Sequence, residues 1–233
     1  MTFSNRYTFA EFKKMSPIDG SNIWSYILER NAEKIGVKRP KPALENLEKI
    51  FVATFRLAND VGFQAMSLRD LCKETGMSMG GLYGYIDSKD QLAEMIEDVV
   101  RHTSAELPQW FGHIGAPLDR LEGIMRGYIY LSEILQPWFY FVYMDSRVLP
   151  LDQRKMAKNS ELHVQQCFEA LIAQIAPQQG APLLAAHCLA VFQDWYVKRW
   201  KYRAAKVQVD AFADSAIALI RAHLALAQQE PEI

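Results

Sequence analysis

The sequence predicts an all-α fold on three observations. Apolar residues recur at spacings of three and four along almost every segment, strict alternation is scarce, and Pro137, Pro150, Pro177 and Pro182 fall at or near the ends of the periodic stretches. Half of the 233 residues are hydrophobic and 12% are aromatic, enough to bury a substantial core and to exclude disorder over most of the chain. Such a length suits one large helical domain or a small domain joined to a larger one. The formal net charge of −1 excludes a generic polycation. Any nucleic-acid binding must therefore come from local charge and shape.

The elements follow in order. Phe9, Phe12 and Met15 mark a short first helix, and a stronger pattern runs over 21–35 after Ser16-Pro-Ile-Asp-Gly20. Gly36-Val-Lys-Arg-Pro-Lys-Pro42 then reads as an exposed linker, since its prolines stop a helix and its basic residues favour solvent. The next helix spans 43–61, with Leu47, Ile50, Phe51, Phe55, Ala58 and Val61 on one face. Gly62 follows it, where left-handed backbone is tolerated. Ser67 and Asp70 form a capping-box pattern that opens another helix. Ser88, followed by Gln91, marks a further start, and Leu92, Ile96, Val99 and Val100 carry that stripe to about 106. Longer helices are expected over 117–135, 137–147, 152–176, 181–204 and 208–228.

Residues 67–89 read as a helix-turn-helix, a motif whose second helix fits the DNA major groove. Leu68, Leu71 and Cys72 supply the buried face of the first helix, and Cys72 is small enough for the closest approach of the two. Gly76 provides the positive φ that the tight turn needs. Leu82 and Ile86 form the inward pair of the second helix. Ser78 caps it, leaving first-turn N–H groups to face phosphate. Tyr83 and Tyr85 offer hydroxyls to phosphate oxygens, and Lys89 adds a charge at the next helix start.

The run from Ile50 to Leu92 resembles the N-terminal DNA-binding domain of TetR-family transcriptional regulators. The resemblance rests on Phe51…Phe55…Gly62-Phe63…Ser67, on Gly76-Met-Ser-Met-Gly80, on Leu82-Tyr83-Gly-Tyr85-Ile86 and on Ser88-Lys89-Asp-Gln-Leu92, under a fifth of the chain. It implies an N-terminal three-helix helix-turn-helix DNA-binding domain at 43–90, preceded by an extension at 1–42. A larger helical ligand-binding and dimerisation domain at 91–228 is implied to follow. By the same resemblance Ser67, Ser78, Tyr83 and Lys89 contact phosphates, while Met79, Gly81 and Gly84 face the bases.

Two features depart from the family's usual pattern. Gly80, Gly81 and Gly84 crowd one short helix, where each costs on the order of 1 kcal/mol relative to Ala. Close backbone approach to DNA would compensate, but glycine offers no side chain to a base edge. Specificity then falls to DNA shape or to Arg69 and Lys73 of the preceding helix. The second departure is the extension itself. Its Lys38-Arg39-Pro-Lys41 segment either tracks DNA or is a solvated linker, and the 21–35 helix has Ile23, Trp24, Ile27 and Leu28 to pack inward.

In the C-terminal part, Trp138-Phe-Tyr-Phe-Val-Tyr143 follows Pro137, and Trp195, Tyr196 and Trp200 lie on a later helix with His187 and Asp194. These aromatics are either core or the wall of a ligand pocket. On the pocket reading the effector contacts are Trp138, Tyr140, Phe141, Tyr143, His187, Phe192, Trp195 and Tyr196. Lys198, Arg199, Lys201, Arg203 and Lys206 cluster at a helix end, which the macrodipole explains. An anionic effector such as a phosphate-bearing thioester is the other reading. The last two helices carry Leu183, Leu184, Leu189, Ala190 and Phe192, then Phe212, Ala216, Leu219, Ile220 and Leu224, and similar proteins pair through these helices into a two-fold dimer.

His163 and Cys167 are at i, i+4, but a metal site needs further ligands, so no metal is expected. No Ser/His/Asp order, phosphate loop or His-Glu-x-x-His pattern supports an enzyme, and no cofactor is implied. No run approaches the roughly 18 apolar residues of a membrane span. The N-terminus lacks signal-peptide order, and Cys72, Cys167 and Cys188 suit a reduced, cytoplasmic protein. The expectation is a homodimeric DNA-binding regulator, a repressor released from double-stranded operator DNA by a small-molecule effector. The rival is an all-α small-molecule binding protein whose motif no longer reads DNA.

Overall fold

The computed structural model describes residues 7–36, 40–145, 149–177 and 180–227, and among them it is helical with no strand. In chain order the helices are α1 (Phe9–Met15), α2 (Ile23–Arg30), α3 (Pro40–Val61), α4 (Leu68–Thr75), α5 (Met79–Leu82), α6 (Lys89–Trp110), α7 (Pro117–Ile134), α8 (Gln136–Asp145), α9 (Leu151–Ile175), α10 (Ala181–Val197), α11 (Arg199–Ala204) and α12 (Val209–Ala227).

Four boundaries differ from expectation, each for a local reason. The 21–35 helix contracts to Ile23–Arg30, because the Asn31 amide donates to the Ile27 carbonyl at 2.9 Å and turns the chain. α3 begins at Pro40, so Pro40 and Pro42 sit in a first turn where a missing N–H removes no intrahelical bond. Of the expected linker, Lys38 and Arg39 lie outside the described residues. α6 continues through Pro108 to Trp110, since a proline in the last turn removes only one hydrogen bond. The 181–204 helix is broken at Lys198, whose ψ of 35° ends α10 before α11 starts. Neither glycine nor proline marks that break.

The chain divides into two compact units, Ile18–Arg101 with Pro137–Ala157, and Met1–Pro17 with His102–Gln136 and Lys158–Ile233. The first holds the helix-turn-helix. In it α3 buries Ala43, Leu47, Ile50 and Phe51, with α2 and α4 packed against it. Ile23 and Ile27 are the inward residues of α2, and its C-terminal end is tied to α6 by Arg30–Asp98 at 2.6 Å and Lys34–Glu94 at 3.6 Å. α8 completes this core. The Trp138 ring stacks on Phe51 at 4.9 Å and meets Phe55 edge-on at 5.0 Å, while Phe141 is perpendicular to Phe63 at 4.9 Å.

The larger unit is organised around α7, whose residues from Leu121 to Ser132 are all buried. A helix enclosed on every side must be approached closely, and its glycines permit this. A Cβ at Gly123 would lie 2.7 Å from Phe111, and one at Gly127 would lie 2.9 Å from Leu107 and 3.1 Å from the Tyr7 hydroxyl. Tyr7 donates to the Gly123 carbonyl at 2.7 Å and stacks on Phe111 at 5.8 Å, so the segment leading into α1 is part of this core. Two charges on α7 are matched from α12: Arg126 pairs with Asp214 at 2.6 Å, and Arg221 pairs with Glu122 at 3.1 Å. Such pairing removes the penalty of an uncompensated buried charge.

Candidate nucleic-acid interface

Backbone chemistry sets the helix-turn-helix. Gly62 has φ of 86° just past α3, and Gly76 has φ of 72° just past α4, the left-handed values that glycine adopts without strain. Ser67 and Asp70 close a reciprocal capping box at the start of α4. Ser67 donates to the Asp70 carboxylate at 2.6 Å, and this bond with that from the Ser67 N–H holds the carboxyl below its ordinary range. At α5, Ser78 Oγ accepts from the Gly81 N–H at 3.1 Å. The turn between them is braced by Thr75, whose hydroxyl donates to the Leu71 carbonyl at 2.7 Å and accepts from Met77 N–H at 3.3 Å.

α5 is a single turn. Beyond it, Gly84 N–H bonds the Gly81 carbonyl at 3.3 Å and Tyr85 N–H bonds the Leu82 carbonyl at 2.9 Å, the tighter i to i+3 pattern. The glycines explain its brevity, because they lower helix propensity where the helix would propagate. Leu82 and Ile86 are buried as the inward pair. Cys72 Sγ lies 3.3 Å from Met79 Sδ, where α4 and α5 approach each other.

The expected DNA contacts divide into two groups. Ser67, Arg69, Lys73, Ser78, Gly80, Gly81 and Tyr83 are exposed, and Met79 and Gly84 are half-buried. Ser78 keeps its hydroxyl proton available, whereas Ser67 has committed its own to Asp70. The other group faces inward. Tyr85 is 4% exposed and its hydroxyl accepts from the Asn46 amide at 2.9 Å. Lys89 gives its ammonium to three carbonyls: Phe63 at 3.0 Å, Gln64 at 2.9 Å and Met66 at 2.8 Å. With three donors on a lysine, that set satisfies the group inside the protein.

Some contributors carried no local signal. Arg56 of α3 forms an ion pair with Glu74 of α4, and Gly36 N–H donates to the Gly84 carbonyl at 3.2 Å, joining the N-terminal extension to the turn after α5. Both link residues far apart in sequence, which periodicity does not register.

The expected effector contacts fall in different units. Trp138 and Phe141 are buried against α3 and Phe63 in the helix-turn-helix unit, with Tyr140 half-buried and Tyr143 exposed on the same helix. His187, Phe192, Trp195 and Tyr196 belong to α10 of the larger unit, where His187 is exposed and the other three are buried. Phe192 packs on Phe168 at 5.9 Å, and Trp195 lies 4.8 Å from Phe212 while its indole N–H donates to Glu133 at 2.9 Å. No group of three or more metal-ligating side chains occurs among the described residues, and no described helix is long and apolar enough to cross a membrane.

Comparison with known proteins places this geometry. Residues 50–96 match the family model described as bacterial regulatory proteins, tetR family. The HTH-type transcriptional regulator HbdR of Aromatoleum sp. (strain CIB) is 22% identical over 172 residues, covering 71% of this chain and 75% of HbdR. The crystal structure of AibR in complex with isovaleryl coenzyme A and operator DNA superposes with a TM-score of 0.64 at 19% identity, covering 75% of this chain and 97% of AibR. A structure of the transcriptional regulator FadR from Bacillus subtilis in complex with stearoyl-CoA gives 0.57 at 12% identity, over 75% and 97% of the two chains.

Proposed function

We propose that the chain, whose residues 50–96 match the family model of TetR-type bacterial regulatory proteins, is a homodimeric repressor released from operator DNA by a small-molecule effector. One observation carries the DNA-binding part. Arg69, Lys73, Ser78 and Tyr83 stand exposed around the one-turn helix α5, with their backbone set by Gly76 and by the Ser67 and Ser78 caps. Phosphate contacts fall to Ser78, Tyr83 and Lys73. Base readout falls to Arg69 and to DNA shape, since Gly80 and Gly81 have no side chains to reach a base edge. In this reading 43–90 is the DNA-binding segment and 91–228 holds the effector and pairing surfaces.

Pairing is supported by large apolar side chains left exposed on α10 and α12, Leu183 at 64%, Leu219 at 63% and Leu226 at 66%. A two-fold pair presents two readers to successive major grooves of a pseudo-palindrome. The ligand complexes of AibR and FadR support a small-molecule effector. Release requires that the effector bind the DNA-incompetent conformation more tightly, because equal affinity for both shifts nothing.

The test is selection of bound sequences from a random DNA pool, followed by gel shift at graded salt. A specific, salt-sensitive complex is expected. Arg69→Ala should relax preference at one base position, whereas Lys73→Ala should weaken all sequences alike. Failure to enrich any sequence would favour a ligand-binding protein whose motif no longer reads DNA.

A further inference from the structure

We propose that the cleft between α11 and the start of α12 binds the phosphate-bearing end of a small-molecule ligand through Arg203 and Lys206. The cleft has a volume of about 420 Å³, and its charged lining is Arg199, Arg203 and Lys206 against Glu133. This inference rests on the effector reading and names the chemistry of one part of the ligand.

The five-residue basic cluster at this helix end separates by partner. Lys198 pairs with Asp194 at 2.9 Å, Lys201 pairs with the same carboxylate, and Arg199 pairs with Glu133. Among the described residues, neither Arg203 nor Lys206 has a carboxylate within ion-pair distance, and both are exposed. Arg199 is already committed, and its guanidinium lies 4.3 Å from the centre of the Trp195 ring. Its Nε is buried without a hydrogen-bond partner. Burial holds its pKa below the ordinary arginine value; Glu133 opposes that and nearby Arg203 adds to it. An anion in the cleft relieves the repulsion between the two guanidiniums.

The backbone supplies an independent argument. Lys206 is the one non-glycine residue with positive φ among the described residues, at 55°. It occupies the position after α11 where Val207 N–H returns to the Tyr202 carbonyl at 3.0 Å and Lys206 N–H to the Arg203 carbonyl at 3.1 Å. That double bond pattern ends a helix most easily with glycine. A lysine there is strained and, being exposed, contributes no core packing, so what the strained position presents is its ammonium. A second polar cleft among the described residues of this unit, of about 500 Å³, has Glu11, Glu122, Asp210 and Asp214 in its lining against Arg126 and Arg221. Its excess of carboxylates disfavours an anion.

Calorimetric titration of the full chain at low ionic strength tests this, with pyrophosphate and coenzyme A as probes and chloride as the competing salt. Both probes are expected to bind, and more weakly as chloride rises. Arg203→Gln and Lys206→Gly should each weaken binding about tenfold, the loss of one charge-assisted hydrogen bond. Lys206→Gly should also raise the melting temperature, because glycine adopts the left-handed backbone freely. Tighter binding of coenzyme A than of pyrophosphate identifies the phosphorylated end of a larger ligand, and equal binding identifies a free diphosphate. Absence of binding by both probes, or unchanged affinity in both variants, overturns the proposal. Operator binding, measured separately on the same proteins, tells failure of this cleft from failure of the regulator reading.

Discussion

Lys89 and Phe63 are joined twice: the lysine ammonium donates to the Phe63 carbonyl at 3.0 Å and lies 5.3 Å from the centre of the Phe63 ring. With the bonds to Gln64 and Met66, this contact closes the loop between α3 and α4 onto the first residue of α6. The ammonium thereby serves three loop carbonyls that lie beyond the end of α3, with the Phe63 ring face as a further partner.

Lys89→Met should therefore act first on stability. It leaves those carbonyls without their donor and should cost about 2 kcal/mol, within the range for hydrogen bonds to charged groups. Urea unfolding measures this, with operator affinity then determined under conditions where the variant is folded. An unchanged midpoint with uniformly weakened DNA binding would return Lys89 to a direct phosphate role.

Gly80→Ala separates internal from external reasons for the glycines of α5. Nothing lies within 4 Å of a Cβ built at Gly80, so the free protein should gain up to about 1 kcal/mol from helix propensity. Operator affinity should fall if the DNA backbone approaches this helix closely. Equal or tighter DNA binding by the stabilised variant would rule that approach out.

Gly127→Ala and Gly123→Ala should each destabilise the larger unit by about 1–3 kcal/mol through overpacking. The added Cβ meets Leu107 and Phe111 in one case and the Phe111 ring in the other. Thermal melting reads the loss. Phe111→Leu in the same chain should recover part of it, and an absence of recovery would mean the strain lies elsewhere.

The Asp194 carboxyl links stability to pH. Burial would raise its pKa, but hydrogen bonds from Lys201, Tyr202 and Lys198 outweigh burial and hold it at about 2, against an ordinary value of 3.8. A depressed folded-state pKa gives stabilisation that is complete above about 4 and lost as pH falls toward 2. Solvent screening limits it to about 1 kcal/mol. Asp194→Asn should lower stability at pH 7 by that amount and flatten the acid limb of a stability–pH curve. A parallel, merely displaced curve would assign the acid sensitivity to other carboxylates.

The helix-turn-helix was legible because its signals are local. Ser67 with Asp70, Gly62, Gly76 and Ser78 act within one turn of themselves, and the structure shows the caps and positive φ values they imply. Tyr85 and Lys89 were harder to read. A tyrosine or lysine beside a DNA-reading helix looks like a phosphate contact until Asn46, or the carbonyls of the α3–α4 loop, come into view. The aromatic run from Trp138 shows the same difficulty on a larger scale, since its partners Phe51, Phe55 and Phe63 are about eighty residues earlier in the sequence.

By itself the sequence determined the all-helical class, the order of the helices and the turn chemistry of residues 67–89, because periodicity, capping and left-handed backbone are decided by near neighbours. Tertiary structure alone decided which polar groups remain for a partner. That outcome depends on which acceptors and donors long-range packing brings within about 3 Å of each side chain. It took Tyr85 and Lys89 inward, neutralised three members of the basic cluster near α11, and left Arg69, Lys73, Arg203 and Lys206 facing out.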